Sequence, residues 1–357
     1  MKILQIMGGY LDGGAEIFYI DALIALKNVN EEQYAIVNKK NKKGISKLKK
    51  LKIPFKAVSF NKLFKWPTKS SIKKVVKEFK PDIVHYWMGR AGSFTINGKH
   101  INIGWHSGYR GVERFKACDY HIALTKELKK HIASQGIEFN NIYELPIYTN
   151  KNTSKKISRK NFNTPEDKPL LLSLSRLHPV KGIDTLLKAM VKIPDVFLWV
   201  AGSGPLKKEL MDQSEMLGLE GRVKFLGWRD DKEALMATSD VCLFPSRNDA
   251  FGAVIIEAWA AKKPNISCKS PGPKEIIKHN HNGLLVEIDN VDQLVRAIKK
   301  VINDKKLRIL LAKNGYERFQ KSYSEKAFSK NILKVYKTVI KLGKKNCEKQ
   351  KTKHSYY

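Results

Sequence analysis

Three segments of this sequence combine residue types that could handle a phosphorylated sugar. The first, Gly8-Gly9-Tyr10-Leu11-Asp12-Gly13-Gly14-Ala15-Glu16, follows a short apolar run and opens a stretch of helical period. Glycines at such a turn let main-chain N–H groups approach a phosphate, and a helix N-terminus favours negative charge. The spacing is not Gly-x-Gly-x-x-Gly, which weakens the case for a dinucleotide, and a purely structural turn would read the same way. The second segment is Ser173-Leu174-Ser175-Arg176-Leu177-His178-Pro179-Val180-Lys181-Gly182. Here Arg176 can meet an anion as a planar fork and Lys181 as a point charge. Two bases at a helix start oppose the helix dipole, so solvated decoration is a poor account of them.

The third segment runs from Pro245 to Trp259 and holds Asp249 and Glu257. A strand at 241–244 delivers Asp249 to a loop, and Gly252 then starts an apolar helix that carries Glu257. A separation of just over two turns lets the two carboxylates share a cleft-facing side, where they would accept hydrogen bonds from sugar hydroxyls. An acid inside the apolar run around Glu257 needs a partner, because an unpaired buried carboxylate is costly. A buried salt bridge is the alternative role for it.

The elements that must position these segments are legible as alternation. Short β-rich apolar runs at residues 3–7, 34–37, 83–87, 101–105 and 120–124 are interleaved with stretches of helical period. After a polar, turn-rich stretch the pattern restarts at 170–174, 196–201, 223–226 and 241–244. Parallel βα units are the implied fold class. The expected organisation is a first domain at 1–150, a linker at 151–168 and a second domain at 169–325. A C-terminal helix at 326–342 packs back on domain one in this reading, and a basic tail at 343–357 lacks apolar periodicity and is expected to be disordered. In open parallel sheets ligands bind beyond the carboxyl ends of the strands, so two such domains imply a shared interdomain cleft.

At 357 residues and 42% hydrophobic content the chain can build two cores. No run approaches the roughly 20 apolar residues of a membrane span, and the first residues are too short for a signal peptide, which places the chain in the cytoplasm. Cys118, Cys242, Cys268 and Cys347 are scattered and read as free thiols. The formal charge of +33 calls for an anionic counterpart. Between Lys39 and Lys80 sixteen lysines face a single acid, Glu78, and Phe64 and Trp66 lie among them. That mixture suits an anionic membrane face, with Lys62, Lys65, Trp66 and Lys69 as the contacts; a solvated lysine-rich surface is the alternative. Nucleic acid is disfavoured: no zinc knuckle, RRM aromatic motif or helix-turn-helix accompanies the charge.

Taken together, the segments SRLHPVKG, VAGSGPL, RVKFLGW, SDVCLFPSRNDAFGAVIIEAWA and GPKEIIKHNHNGLLV, in this order, resemble the retaining GT-B-fold glycosyltransferases of group four, which include lipopolysaccharide-core and mannosyl transferases. Gly-Gly-Ala-Glu in the first loop and Gly104-Trp105-His106-Ser107-Gly108-Tyr109 fit the same family. The resemblance implies two Rossmann-like domains and roles for particular residues. Arg176 and Lys181 would hold the donor diphosphate, and Glu257 would hydrogen-bond the ribose. Asp249, with the backbone of Ala250, Phe251, Gly252 and Ala253, would bind the transferred sugar. Gly13 and Gly14 would approach the phosphate, and Gly202, Gly204 and the 226–228 region would line the base. His106, which alone reads as a structural histidine, would sit near the reaction centre. Asp249 departs from the family's usual glutamate.

The activity so implied is retaining sugar transfer from a nucleotide-sugar, UDP-linked as first choice, to a lipid-linked or lipopolysaccharide-type acceptor on the inner membrane face. No cofactor, metal or obligate protein partner is expected, since no Asp-x-Asp occurs in the chain and cationic side chains can neutralise the leaving group. A sugar-nucleotide epimerase or phosphorylase of the same fold is the alternative enzyme, and a basic nucleic-acid-binding protein the alternative of another class.

Overall fold

Both sheets are parallel throughout in a computed structural model of the chain, and most strands carry apolar side chains on both faces. The structure describes residues 1–11, 13–61 and 63–354, with side chains as far as Gly343. The chain divides into two compact units, one of Met1–Ile147 with Phe328–Tyr357, the other of Tyr148–Ala327.

The first unit runs β1 (Lys2–Met7), α1 (Gly14–Asn28), β2 (Glu32–Asn38), α2 (Lys42–Lys50), β3 (Phe55–Val58), α3 (Trp66–Phe79), β4 (Ile83–Trp87), α4 (Met88–Gly92), β5 (Ile101–His106), β6 (Tyr120–Ala123), α5 (Lys126–Ala133) and β7 (Ile142–Glu144). The second runs β8 (Leu170–Leu174), α6 (Ile183–Val191), β9 (Phe197–Ala201), α7 (Lys207–Met216), β10 (Val223–Gly227), α8 (Lys232–Thr238), β11 (Val241–Phe244), α9 (Ala253–Ala260), β12 (Asn265–Cys268), α10 (Pro271–Ile276), β13 (Leu284–Val286), α11 (Val291–Asn303) and α12 (Lys305–Ser322). The last helix, α13 (Glu325–His354), returns to the first unit. It continues past Leu342 into residues expected to be disordered, a stretch free of glycine and proline after Gly343 and rich in the good helix formers Lys, Glu and Gln. Residues 355–357 of that expected tail lie outside the described residues.

Strand order in the first unit is β3-β2-β1-β4-β5-β6-β7, and in the second β10-β9-β8-β11-β12-β13. Each order reverses once, between β1 and β4 and between β8 and β11. In doubly wound sheets such a reversal is where the following loops diverge and ligands are received.

Period-two alternation explains the layers. Leu171, Leu198, Val200, Val241, Leu243 and Ile266 fall in one buried cluster of the second unit, while Leu170, Leu172, Leu174, Trp199 and Cys242 fall in another. In the first unit Leu4, Ile6, Ile36, Val84 and Tyr86 share one cluster. The alternate residues of the same strands include Gln5, His85 and Trp87, and here buried polar groups find partners. Trp87 Nε1 donates to Gln5 Oε1 at 2.7 Å, and His85 Nδ1 meets Tyr336 Oη of α13 at 2.7 Å. Phe328, also on α13, packs edge-on against Phe18 of α1 at 5.3 Å between centroids.

The polar stretch expected to be a linker is pinned to the second unit. Arg159 is 6% exposed and donates to the main-chain oxygens of Glu166, Lys168 and Thr238 and to the Asp240 carboxylate. Trp199 Nε1 donates to Thr164 Oγ1 at 2.9 Å. Turn-forming composition marks a segment without regular structure, and one buried arginine suffices to anchor it.

Candidate active site

The reversal between β8 and β11 gathers the second and third chemical segments. After β8 the chain passes Ser175 and Arg176, makes a 3-10 turn at Pro179–Lys181 and enters α6 through Gly182, whose φ is +65°. A Cβ on Gly182 would lie 2.2 Å from the Pro245 carbonyl oxygen, so the loop after β11 touches the loop after β8 main chain to main chain. Arg247 fastens the two. Its guanidinium donates to both oxygens of Asp184 on α6 and of Asp289, its amide donates to Val180 O, and the forked geometry fixes the orientation of the loop. The Asp289 carboxyl is held below the usual range by the Arg247 hydrogen bond.

Within this frame Lys181 Nζ lies 2.7 Å from Asp249 Oδ2, both side chains about one-fifth exposed. Asp249 Oδ1 accepts from the amides of Phe251 (3.0 Å) and Gly252 (2.8 Å), and its main-chain oxygen accepts from Gly272 N. Asp249 lies on the loop after β11 and Glu257 on the helix that Gly252 opens, as the sequence implied. Gly252 adopts φ +92°, α9 begins only at Ala253, and Asp249 closes the loop that precedes it. Glu257, on α9, accepts from Lys232 Nζ of α8 at 2.6 Å, the salt-bridge alternative for this residue. Phe251 is buried against Tyr323 at 5.9 Å between rings.

Arg176 differs from these. It is exposed and makes no ion pair among the described residues. Its loop is held from beneath, since a Cβ at Gly202 would fall 1.9 Å from Ser175 O and one at Gly204 2.2 Å from Leu177 O. Main-chain bonds Ser175 N to Ala201 O and Leu177 N to Ser203 O zip the two loops together. The buried hydroxyls of Ser175, Ser246 and Ser270, just after β8, β11 and β12, have no hydrogen-bond partner among the described residues. A ligand's polar atoms could pair with them.

The remaining expected residues belong to the first unit. Gly13 precedes α1 in extended conformation, and a Cβ on Gly14 would meet nothing within 4 Å. The steric demand for glycine falls instead on Gly9, where a Cβ would strike Glu16 Oε1 at 2.3 Å. His106 ends β5, is 4% exposed, and its Nε2 lies 3.0 Å from His121 Nδ1. Burial, then the charges of His121 and His131, push it down to about 3; burial pushes His121 to about 4. Both are neutral imidazoles near pH 7. Lys65, Trp66 and Lys69 line an open dent of about 320 Å³ at the start of α3, with Leu63 and Phe64 exposed beside them. Lys62 lies outside the described residues. Among the described residues no three His, Cys, Asp or Glu side chains group as metal ligands.

Sequence reasoning missed Arg247, Lys232 and His121. Arg247 stood inside a quoted motif, two positions before Asp249, with nothing local to announce its two distant acids. His121 was detectable only through register: it pairs with Gly104, diagonal to His106, on the neighbouring strand.

Residues 154–318 match the family model of the group 1 glycosyl transferases. The second unit carries a group 1 glycosyl transferase domain. That domain spans both loops of the β8–β11 reversal and the anchored 159–164 segment. Over 331 residues the chain is 29% identical to the lipopolysaccharide core biosynthesis glycosyltransferase LpsE of Rhizobium meliloti, covering 91% of this chain and 96% of that one. Its fold is similar to Anabaena HepE in complex with UDP-glucose, with a TM-score of 0.80 at 22% identity, covering 95% of this chain and 100% of that chain. The lipopolysaccharide outer core galactosyltransferase WaaB is also similar, with a TM-score of 0.72 at 20% identity, covering 93% and 98%. The shared architecture is the α/β GT-B type, two Rossmann-like parallel-sheet domains.

The two histidines generate an expectation about acid stability. Their folded pKa values lie below the unfolded value of about 6.5, so the unfolded chain binds protons that the fold excludes. Stability should fall as pH drops below about 6.5 and level off below the folded values, each histidine steepening the loss by up to about 1.4 kcal/mol per pH unit. Urea unfolding at pH 7, 6 and 5 should show a shallower acid slope for His121→Gln than for the wild type; equal slopes would remove the histidines as the cause.

Proposed function

We propose that the chain transfers a sugar from a nucleoside diphosphate sugar, UDP-linked as first choice, to a cell-envelope saccharide, with retention of anomeric configuration and without a metal or other cofactor. The observation that carries the reading is the β8–β11 reversal of a glycosyl transferase domain, where Arg176 stands exposed and unpaired beside a loop that holds Lys181. Arg176 there serves as the first contact for the departing diphosphate. Lys181 exchanges its Asp249 partner for a phosphate oxygen, which leaves Asp249 free to accept from a sugar hydroxyl. The α9 N-terminus adds partial positive charge on the same side. This fixed field stabilises the leaving group as it develops charge. Glu257, set by Lys232, meets the ribose, and the Gly202–Gly204 turn borders the base.

On this reading the leaving phosphate takes the acceptor proton and no covalent glycosyl-enzyme forms. The likeness to LpsE supports a lipopolysaccharide-type acceptor, and the UDP-glucose complex of the HepE neighbour supports a uridine donor.

Arg176→Ala and Lys181→Ala should each lower turnover by roughly the 2.7 to 4 kcal/mol typical of losing one oxyanion-type contact, with little change in folding stability. Turnover close to wild type in both would end the assignment, and product analysis with donor alone separates transfer from epimerisation. Excess EDTA should leave the rate unchanged, whereas loss rescued by manganese would establish a metal.

The acceptor's membrane supplies a second expectation. Leu63, Phe64 and Trp66 are 88%, 70% and 78% exposed at the start of the lysine-lined helix α3, and no helix among the described residues is long and apolar enough to cross a bilayer. We assign this edge to peripheral docking on the anionic cytoplasmic leaflet, with rings entering the headgroups and lysines adding about 1 kcal/mol each. Flotation with phosphatidylglycerol vesicles should show binding that Lys65→Glu with Lys69→Glu abolishes and that 1 M salt, with its Debye length of about 3 Å, reproduces. Undiminished binding by the double variant would reduce the lysines to solvated decoration.

A further inference from the structure

The strand reversal of the first unit, between β1 and β4, holds a second cationic site. Three loops converge there because β1 lies between β2 and β4 in the sheet. Gly8, at the end of β1, is the common anchor: Asn38 Nδ2, at the end of β2, donates to its carbonyl at 3.0 Å, and Arg90 Nη1, on α4 after β4, lies 3.5 Å from the same oxygen. Packing fixes Arg90 further, since even a Cβ added to Gly8 would lie 2.9 Å from Arg90 Cγ. Two residues after Gly8, at Tyr10, both cations reach one ring. Lys40 Nζ sits 5.5 Å and Arg90 Cζ 4.8 Å from the centroid of Tyr10.

Neither cation forms an ion pair among the described residues. The acid whose charge acts on Arg90 is Glu16, and its carboxylate is engaged by the amides of its own loop, at Glu16, Gly13 and Leu11, in a half-buried place that pushes its pKa up. Two like charges at one aromatic ring, with no counter-ion committed to them among the described residues, repel one another, and an anion within reach of both lowers that cost.

We propose that Tyr10, Lys40 and Arg90 bind an anionic group on the acceptor saccharide, a phosphate or a carboxylate carried by the sugar. Arg90 offers a planar fork, Lys40 a point charge, and the Tyr10 ring an apolar face beside them. The assignment rests on the reading of the chain as a transferase whose donor is held by the second unit. The donor's own diphosphate is the other source of phosphate, and a UDP-saturated protein separates the two.

Saturation-transfer NMR would compare glucose 6-phosphate and glucuronate with glucose, on wild type, Lys40→Met and Arg90→Lys, with and without saturating UDP. The UDP-saturated wild type should prefer both anionic sugars over glucose by about tenfold or more, as expected for charge-assisted contacts. Lys40→Met, at an exposed position, should lose most of that preference with unaltered melting and UDP affinity. Arg90→Lys keeps the charge but not the fork and should lose part of it. Displacement of glucose 6-phosphate by UDP would assign the site to the donor, and an undiminished preference in both variants would overturn the proposal. A wild type that fails to bind UDP yet shows the preference, and loses it in the variants, would sink the donor reading while supporting this site.

Discussion

Main chain touches main chain at three places in the second unit, and its chemistry depends on the missing Cβ atoms there. Gly182 lets the loop after β8 rest on Pro245, while Gly202 and Gly204 let Ser175 and Leu177 rest on the loop after β9. Any side chain at these positions would force the loops apart, and with them Arg176 and Lys181, whose value to an anion lies in being fixed before it arrives. Arg247 completes the frame from the other side. One guanidinium answers Asp184 and Asp289 together, so the loop carrying Asp249 cannot drift from α6 without breaking charge-assisted bonds.

Much of this was legible from residue order alone. Parallel βα units follow from alternating short apolar runs and helical stretches, and the β8 and β11 loops carry their character in Arg176, Lys181 and Asp249. The loop placement of Asp249 and the helix opened by Gly252 were legible as well; what sequence spacing could not supply was the left-handed φ of Gly252. Partner identity was equally hidden, because Lys232 and Arg247 meet acids brought from elsewhere in the chain.

Position in the fold also separates residues that composition lumps together. Most of the lysines between residues 39 and 80 are exposed and face solvent, yet Lys40 is directed by Asn38 and Gly8 toward an aromatic ring. Histidines divide similarly: His85, His106 and His121 are buried and held neutral, whereas His178 stands in the β8 loop, where its ring accepts from the Val180 amide.

The return of α13 to the first unit has a consequence for the order in which the protein is made. Phe18, Trp105 and His85 are covered on one side by Phe328 and Tyr336, and those two residues leave the ribosome after the strands of both units. A nascent chain that has emitted only its first half therefore displays an aromatic sheet face with an unpaired imidazole. The middle of the chain, Tyr148–Ala327, contains all of its own core and can close while synthesis continues. The opening strands of the first unit thus wait for α13, and the second unit, encoded between them, can fold before they are covered.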